Sequence, residues 1–192
     1  AHISLGDARS LKMVPNESVH AVITSPPYLN AIDYLRGHRL ALVWLGYSIA
    51  SLRKIREESI GVERTVSKAC SPDLLYNLLD GLDLSSLPKR FLHIVHRYAL
   101  DIYSVLAEIR RVLRPNGIAI FVVGNSCLRG VFIQNDRIVT SAAECVGMTV
   151  ESYSIRQIPG VHRYLPPPNT DLGDNLAKRM ITETVVKYRI LK

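Results

Sequence analysis

The residues Thr24-Ser25-Pro26-Pro27-Tyr28 follow directly on the apolar run Val19-His20-Ala21-Val22-Ile23. Their types suit one task, the handling of an exocyclic amine on a flat heterocycle. Such an amine is a poor nucleophile because its lone pair is delocalised into the ring. To attack an electrophilic methyl group its nitrogen must move toward tetrahedral geometry. Hydrogen-bond acceptors aimed at the amine hydrogens favour that change and stabilise the positive charge that develops. Ser25 offers a hydroxyl. Pro26 offers a carbonyl, and its ring fixes φ and stiffens the turn, while Pro27 restricts Pro26 in its turn. Tyr28 supplies a face on which a base can stack. A base inside a duplex reaches such a pocket only by flipping out. The plainer alternative is a strand ending in a Pro-Pro turn, with Tyr28 as a packing aromatic. The preceding strand and the Thr24-Ser25 pair favour the chemical reading.

The elements that must position this turn are readable from hydrophobic periodicity. Val19–Ile23 is a short β-branched strand that stops where proline can no longer donate to a ladder. So apolar a run suits a central parallel strand covered on both faces. A helix is expected from about Ala31 to Tyr47. Residues 53–90 are polar and read as helices and loops without a core strand. They carry Arg53, Lys54, Arg56, Arg64, Lys68, Lys89 and Arg90, and form either a target-recognition insert or a solvated face. From about Phe91 to Leu113 the residues Ile102, Val105, Leu106, Ile109, Val112 and Leu113 recur at helical spacing. That helix ends at the turn signal Arg114-Pro115-Asn116-Gly117. A strand follows over Ile118–Val123, closed by Gly124-Asn125, where Asn125-Ser126 either lines the site or only makes a turn. A helix over Ile138–Val146 and strands over Thr149–Ile158 and Glu183–Ile190 complete the pattern. Alternating strands and helices predict an α/β fold with a mostly parallel sheet. Ligands of such sheets sit beyond the carboxyl ends of the strands, where Thr24–Tyr28 lies.

Composition bounds the partners. The 192 residues are 47% hydrophobic with a net charge of +7, enough apolar content for one domain with a core. The basic balance suits a polyanion such as nucleic acid. No apolar run approaches the roughly 20 residues of a membrane helix, and the first residues lack a secretory leader. Cys70, Cys127 and Cys145 are scattered and form no Cys-x-x-Cys pair, so neither a disulfide framework nor a zinc site is indicated. A reducing, cytoplasmic setting is expected. None of the three follows a proline, which disfavours the cysteine-based route to cytosine C5. His93 and His96 share a helix edge without carboxylate partners and read as structural; no metal is expected.

With these residues in place the chain resembles the amino-methyltransferases of DNA, which carry a (Asp/Asn/Ser)-Pro-Pro-(Tyr/Phe/Trp) motif. The stretch Gly6-Asp7-Ala8, Val22-Ile23-Thr24-Ser25-Pro26-Pro27-Tyr28-Leu29-Asn30 and Tyr34-Leu35-Arg36 is similar to bacterial and archaeal DNA modification methylases, and the Ser25 form is similar to the cytosine-N4 branch. The resemblance covers most of the chain and is weakest over about Cys70–Arg90. It implies a class I, Rossmann-like methyltransferase sheet with an antiparallel edge pair. It also implies transfer of a methyl group from S-adenosylmethionine to cytosine N4 of a flipped base in DNA, without metal or covalent intermediate. Adenine N6, an RNA guanine N2, or a non-catalytic DNA-binding subunit of a split enzyme are the alternatives. On this likeness Ser25, Pro26, Pro27 and Tyr28 form the catalytic turn. Asp7, Ala8 and Thr24 face the cofactor, with Asp7 accepting from its adenine amine or, alternatively, only capping a turn. Asn30, Arg163 and Tyr164 face the nucleic acid, the last two in the loop Arg156–Pro168, which is otherwise a rigid connection between edge strands. The sequence departs from the likeness in one respect. It contains no Phe-x-Gly-x-Gly loop and no strand ending in an acidic residue for the cofactor ribose. The first two strands of the fold, with that loop, are therefore expected on another segment or a second polypeptide, and weak cofactor binding is expected of this chain alone.

Overall fold

The order of elements is β1 (Val19–Thr24), α1 (Tyr34–Trp44), α2 (Ile49–Glu58), α3 (Pro72–Leu79), α4 (Lys89–Val112), β2 (Leu113–Val123), β3 (Ser126–Leu128), β4 (Val131–Ile133), α5 (Asn135–Cys145), β5 (Met148–Gln157) and β6 (Thr182–Ile190). These come from a computed structural model that describes residues 2–29, 34–60, 71–158 and 182–190. Four strands form one sheet in the order β1-β2-β6-β5, and β3 and β4 form a separate hairpin. β1 and β2 run parallel; β2–β6 and β6–β5 are antiparallel. The antiparallel edge pair is where the sequence puts it. The described sheet is mixed rather than mostly parallel, since β1–β2 is its one parallel pairing.

The core forms on one sheet face. Helix α4 buries Ile94, Val95, Tyr98, Ile102, Val105, Leu106 and Ile109, a stripe at intervals of three and four residues that keeps one helical face inward. It meets Ala119, Phe121 and Val123 of β2 and Val186, Tyr188 and Ile190 of β6, which alternate along their strands as a two-residue period demands. Phe121 and Tyr188 meet edge to face, with ring centres 5.7 Å apart. The opposite face is only half covered at Ile118, Ile120 and Val122. Ile23 of β1 is 75% exposed. The expectation of a strand covered on both faces is thus corrected for β1. Among the described residues nothing pairs with its outer edge, and an apolar run alone does not reveal which neighbours are present.

The turn expected between α4 and β2 takes an unexpected form. Val19 pairs with Leu113, but Ala21 already pairs with Ile118, so Arg114–Gly117 loop out of β2 as a wide bulge. Asn116 adopts a left-handed φ of 63°, a conformation Asn tolerates better than most residues. Gly117 is required by contact, since a Cβ there would stand 2.7 Å from the Arg114 carbonyl oxygen. The segment 53–90 contains the end of α2, all of α3 and the approach to α4, with residues 61–70 outside the described part. No helix among the described residues is long and apolar enough to cross a membrane.

Candidate active site

The turn Ser25–Tyr28 leaves the C-terminal end of β1 beside the end of β2. Thr24 pairs with Phe121 as the last rung of the parallel ladder. Pro26 has no N–H, so the backbone cannot add further rungs. The Ser25 hydroxyl fills part of that gap by donating to the Val122 carbonyl at 3.0 Å. Ser25 and Pro27 are exposed, Pro26 and Leu29 are buried, and Tyr28 is half-buried. The Pro26 carbonyl accepts no hydrogen bond from any described residue. The exposed Ser25 hydroxyl is oriented by a strand carbonyl, and the Pro26 carbonyl is left without a donor among the described residues.

Tyr28 lies across the end of β2. Its ring passes so close to Gly124 that a Cβ there would stand 2.7 Å from Cε2. The Tyr28 hydroxyl lies 3.4 Å from the Ser25 Oγ and 3.5 Å from Glu183 Oε1. The other Glu183 oxygen receives Arg156, with Nη2 at 2.6 Å. Behind Tyr28 stands Tyr98 of α4, fully buried, with its hydroxyl unpartnered. Burial, and after it the neighbouring Tyr28, push the Tyr98 hydroxyl up.

The loop after β2 is held from below by the start of α5. Asn135, fully buried, donates to the Gly124 carbonyl at 2.9 Å and to Ser126 Oγ at 3.1 Å. Asp136 accepts from Tyr153 at 2.7 Å and from Thr184 at 3.0 Å, and its backbone N–H donates to the Asn125 side chain. A buried carboxylate is tolerated where such donors, and a helix N-terminus, surround it. The Asn125-Ser126 pair singled out in the sequence is thus tied into this polar support.

Asp7 and Ala8 occupy an exposed turn ahead of β1. Both Asp7 oxygens are engaged by Arg9, Oδ1 by the backbone N–H at 2.9 Å and by Nε at 3.0 Å, and Oδ2 by Nη2 at 2.8 Å. An adenine amine would have to compete with these donors for the carboxylate. Asp7 and Thr24 do not by themselves form a cradle for a ribose or an amino-acid moiety. Asn30, Arg163 and Tyr164 lie outside the described residues. No cluster of three or more His, Cys, Asp or Glu able to hold a metal occurs among the described residues. Sequence reasoning missed Val122, Gly124, Asn135 and Glu183 as neighbours of the turn. Only Gly124, a glycine at a strand end, carried a local signal.

A mixed α/β sheet with an antiparallel edge pair, and a turn leaving the end of a parallel strand, matches the class I methyltransferase fold. No family model matches the chain. It is 29% identical over 174 residues to the Type II methyltransferase M.AvaI of Nostoc sp., across 78% of this chain and 35% of that protein. It is 26% identical over 201 residues to the Type II methyltransferase M.BsoBI of Geobacillus stearothermophilus, across 78% and 39%. The chain spans little more than a third of the length of these curated relatives. PvuII DNA methyltransferase (cytosine-N4-specific) shares the fold with a TM-score of 0.53 at 16% identity, over 96% of this chain and 47% of that one. The protein TTHA0409 of Thermus thermophilus, complexed with S-adenosyl-L-methionine, does so with a TM-score of 0.52 at 15% identity, over 98% and 52%. Over 78% of its length the chain is similar to Type II DNA methyltransferases, and its fold is that of the methyltransferase structures it matches.

Proposed function

We propose that this chain carries the catalytic turn of a site-specific DNA methyltransferase that modifies cytosine at N4. S-adenosylmethionine, when bound, supplies a methyl group activated on a sulfonium. The chain's own residues do the rest. The Ser25 hydroxyl, its proton committed to Val122, turns its lone pairs toward an amine N–H. The Pro26 carbonyl accepts from the second amine hydrogen. Both contacts strengthen as the nitrogen gains positive charge, so they stabilise the transition state more than the ground state. Tyr28 stacks on the flipped base. Asp7 and Thr24 face the cofactor, while Asn30, Arg163 and Tyr164 face the DNA. The cofactor's glycine-rich loop comes from a segment or second polypeptide beyond these 192 residues.

The observation that carries this reading is the Ser25–Val122 hydrogen bond at 3.0 Å beside an unengaged Pro26 carbonyl. The relatives support DNA as the substrate, and the Ser25 form of the motif supports cytosine N4. The test is incubation of the full-length protein with methyl-labelled S-adenosylmethionine and duplex DNA, followed by digestion to nucleosides and mass identification. N4-methylcytosine is expected. N6-methyladenine would move the substrate to adenine, and label in transfer RNA but not in DNA would overturn the reading.

A further inference from the structure

We infer that Arg90 and Arg129, held on opposite elements against the ring of Phe91, form a contact for the sugar-phosphate backbone of the nucleic acid. The inference rests on the DNA-methyltransferase reading above. The Arg90 guanidinium lies 5.0 Å from the Phe91 ring centre and that of Arg129 lies 4.7 Å from it. The two cations therefore stand within about 10 Å of each other, within reach of neighbouring phosphates of one strand. Both side chains are exposed, while Phe91 is half-buried against the core. Neither guanidinium has a carboxylate partner among the described residues; of the arginines without one, these two share a single aromatic ring.

The cluster lies on the substrate's side of the molecule. Tyr98, about two helical turns after Phe91, stands close enough to Tyr28 to feel it electrostatically, so the first half of α4 lies toward the end of β2 that carries Tyr28 and Gly124. Arg129 follows Gly124 by five residues, which limits their Cα separation to about 18 Å. Its hairpin is anchored by Leu128 and Ile133, 1% and 0% exposed, so Arg129 is presented from a fixed base.

Both arginines occupy positions that local structure disfavours. Arg129 and Gly130 form the two-residue turn between β3 and β4, with φ of 53° and 85°. The first place of such a turn favours Asn, Asp or Gly, and a left-handed conformation costs another L-residue roughly 1–2 kcal/mol. Arg90 sits in the first turn of α4, which holds no acidic residue and where the helix dipole opposes a cation. The shared Phe91 ring offsets part of that cost and holds the two guanidiniums side by side, and two planar guanidiniums without carboxylate partners match phosphate oxygens.

The test uses Arg129→Asn and Arg90→Gln, changes that turn geometry and helix electrostatics favour, so Tm should hold or rise in both. Affinity of the full-length protein for a fluorescent random-sequence duplex should fall roughly threefold per variant. The slope of log affinity against log salt should flatten by about 0.9 for each lost contact. Unchanged affinity and slope in both variants would overturn the inference while leaving the methyltransferase reading intact. Failure of that reading would show separately, as no methyl transfer by the full-length protein to any duplex.

Discussion

The Ser25 hydroxyl donates to the Val122 carbonyl over 3.0 Å, and this decides what the side chain can do next. With its one proton spent inside the protein, it can only accept from a ligand. A polarised amine needs exactly one such acceptor per hydrogen, and the strand carbonyl supplies the orientation at no cost in mobile parts. Ser25→Ala should therefore lower kcat roughly 100-fold, in the range seen for loss of one oriented polar group, with KM for DNA little altered. Steady-state methyl transfer measures both. A kcat within threefold of the natural protein would remove Ser25 from the mechanism.

Tyr28 offers two things that substitution can separate. Its hydroxyl contacts, at 3.4 Å to Ser25 and 3.5 Å to Glu183, are long and weak by the usual criteria. Its ring face is what a flipped base would use. Tyr28→Phe should retain activity within a few-fold, whereas Tyr28→Ala should weaken substrate binding by about 1–3 kcal/mol, the worth of one base–aromatic stack. Equal losses in the two variants would assign the role to the hydroxyl instead.

Gly124 is the floor under that ring. A methyl group there would stand 2.7 Å from Cε2 of Tyr28, closer than two carbons tolerate, so the ring must move. Gly124→Ala should cost about 1–3 kcal/mol in stability, as overpacking does. It should also lower kcat and raise KM together because the stacking face shifts. Urea unfolding and steady-state kinetics on the same preparation give both numbers, and full activity would show that the ring's position is unimportant.

Arg9 binds two carboxylates of different worth. Asp7 is exposed, but Asp101 is 6% exposed and receives Arg9 Nη1 at 3.0 Å, with Arg97 Nε 3.6 Å from its other oxygen. Arg9→Ala would leave a buried carboxylate with the weaker partner alone, at a cost of about 3 kcal/mol. Asp7→Ala removes a largely solvated pair and should cost under about 1 kcal/mol. Comparable losses in denaturant midpoint for the two would contradict this ranking.

The parts legible in the sequence were those that announce themselves locally. A β-branched run ended by prolines gave β1 and its turn, and the stripe from Ile102 to Leu113 gave α4, which in the structure begins two residues before Phe91, at Lys89. The hairpin of β3 and β4 went unread because three-residue strands are too short to establish a period, and Arg129-Gly130 is not a usual turn pair. Glu183 stayed invisible as a neighbour of Tyr28 because 155 residues separate them. Only the antiparallel pairing of β6 beside β2 brings it there. The turn at Arg114–Gly117 was legible in its Pro-Asn-Gly residues, but that it forms a bulge inside β2 depends on pairing with β1, a partner distant in sequence.

His96 gives the fold an acid-sensitive element. It is half-buried on α4, and burial first, then the charge of His93, lowers its pKa from the ordinary 6.5. The unfolded chain therefore binds the proton more readily than the folded one. The resulting stability is fully present above pH 6.5 and is lost as pH falls through the lowered folded value. In His96→Gln the side chain has no proton to take up over that window. The difference in urea midpoint between slightly alkaline and mildly acidic buffer should thus be smaller in His96→Gln than in the natural chain. Carboxylate protonation is common to both proteins and cancels in the comparison. Identical pH dependence of the two would mean that His96 titrates alike in the folded and unfolded states.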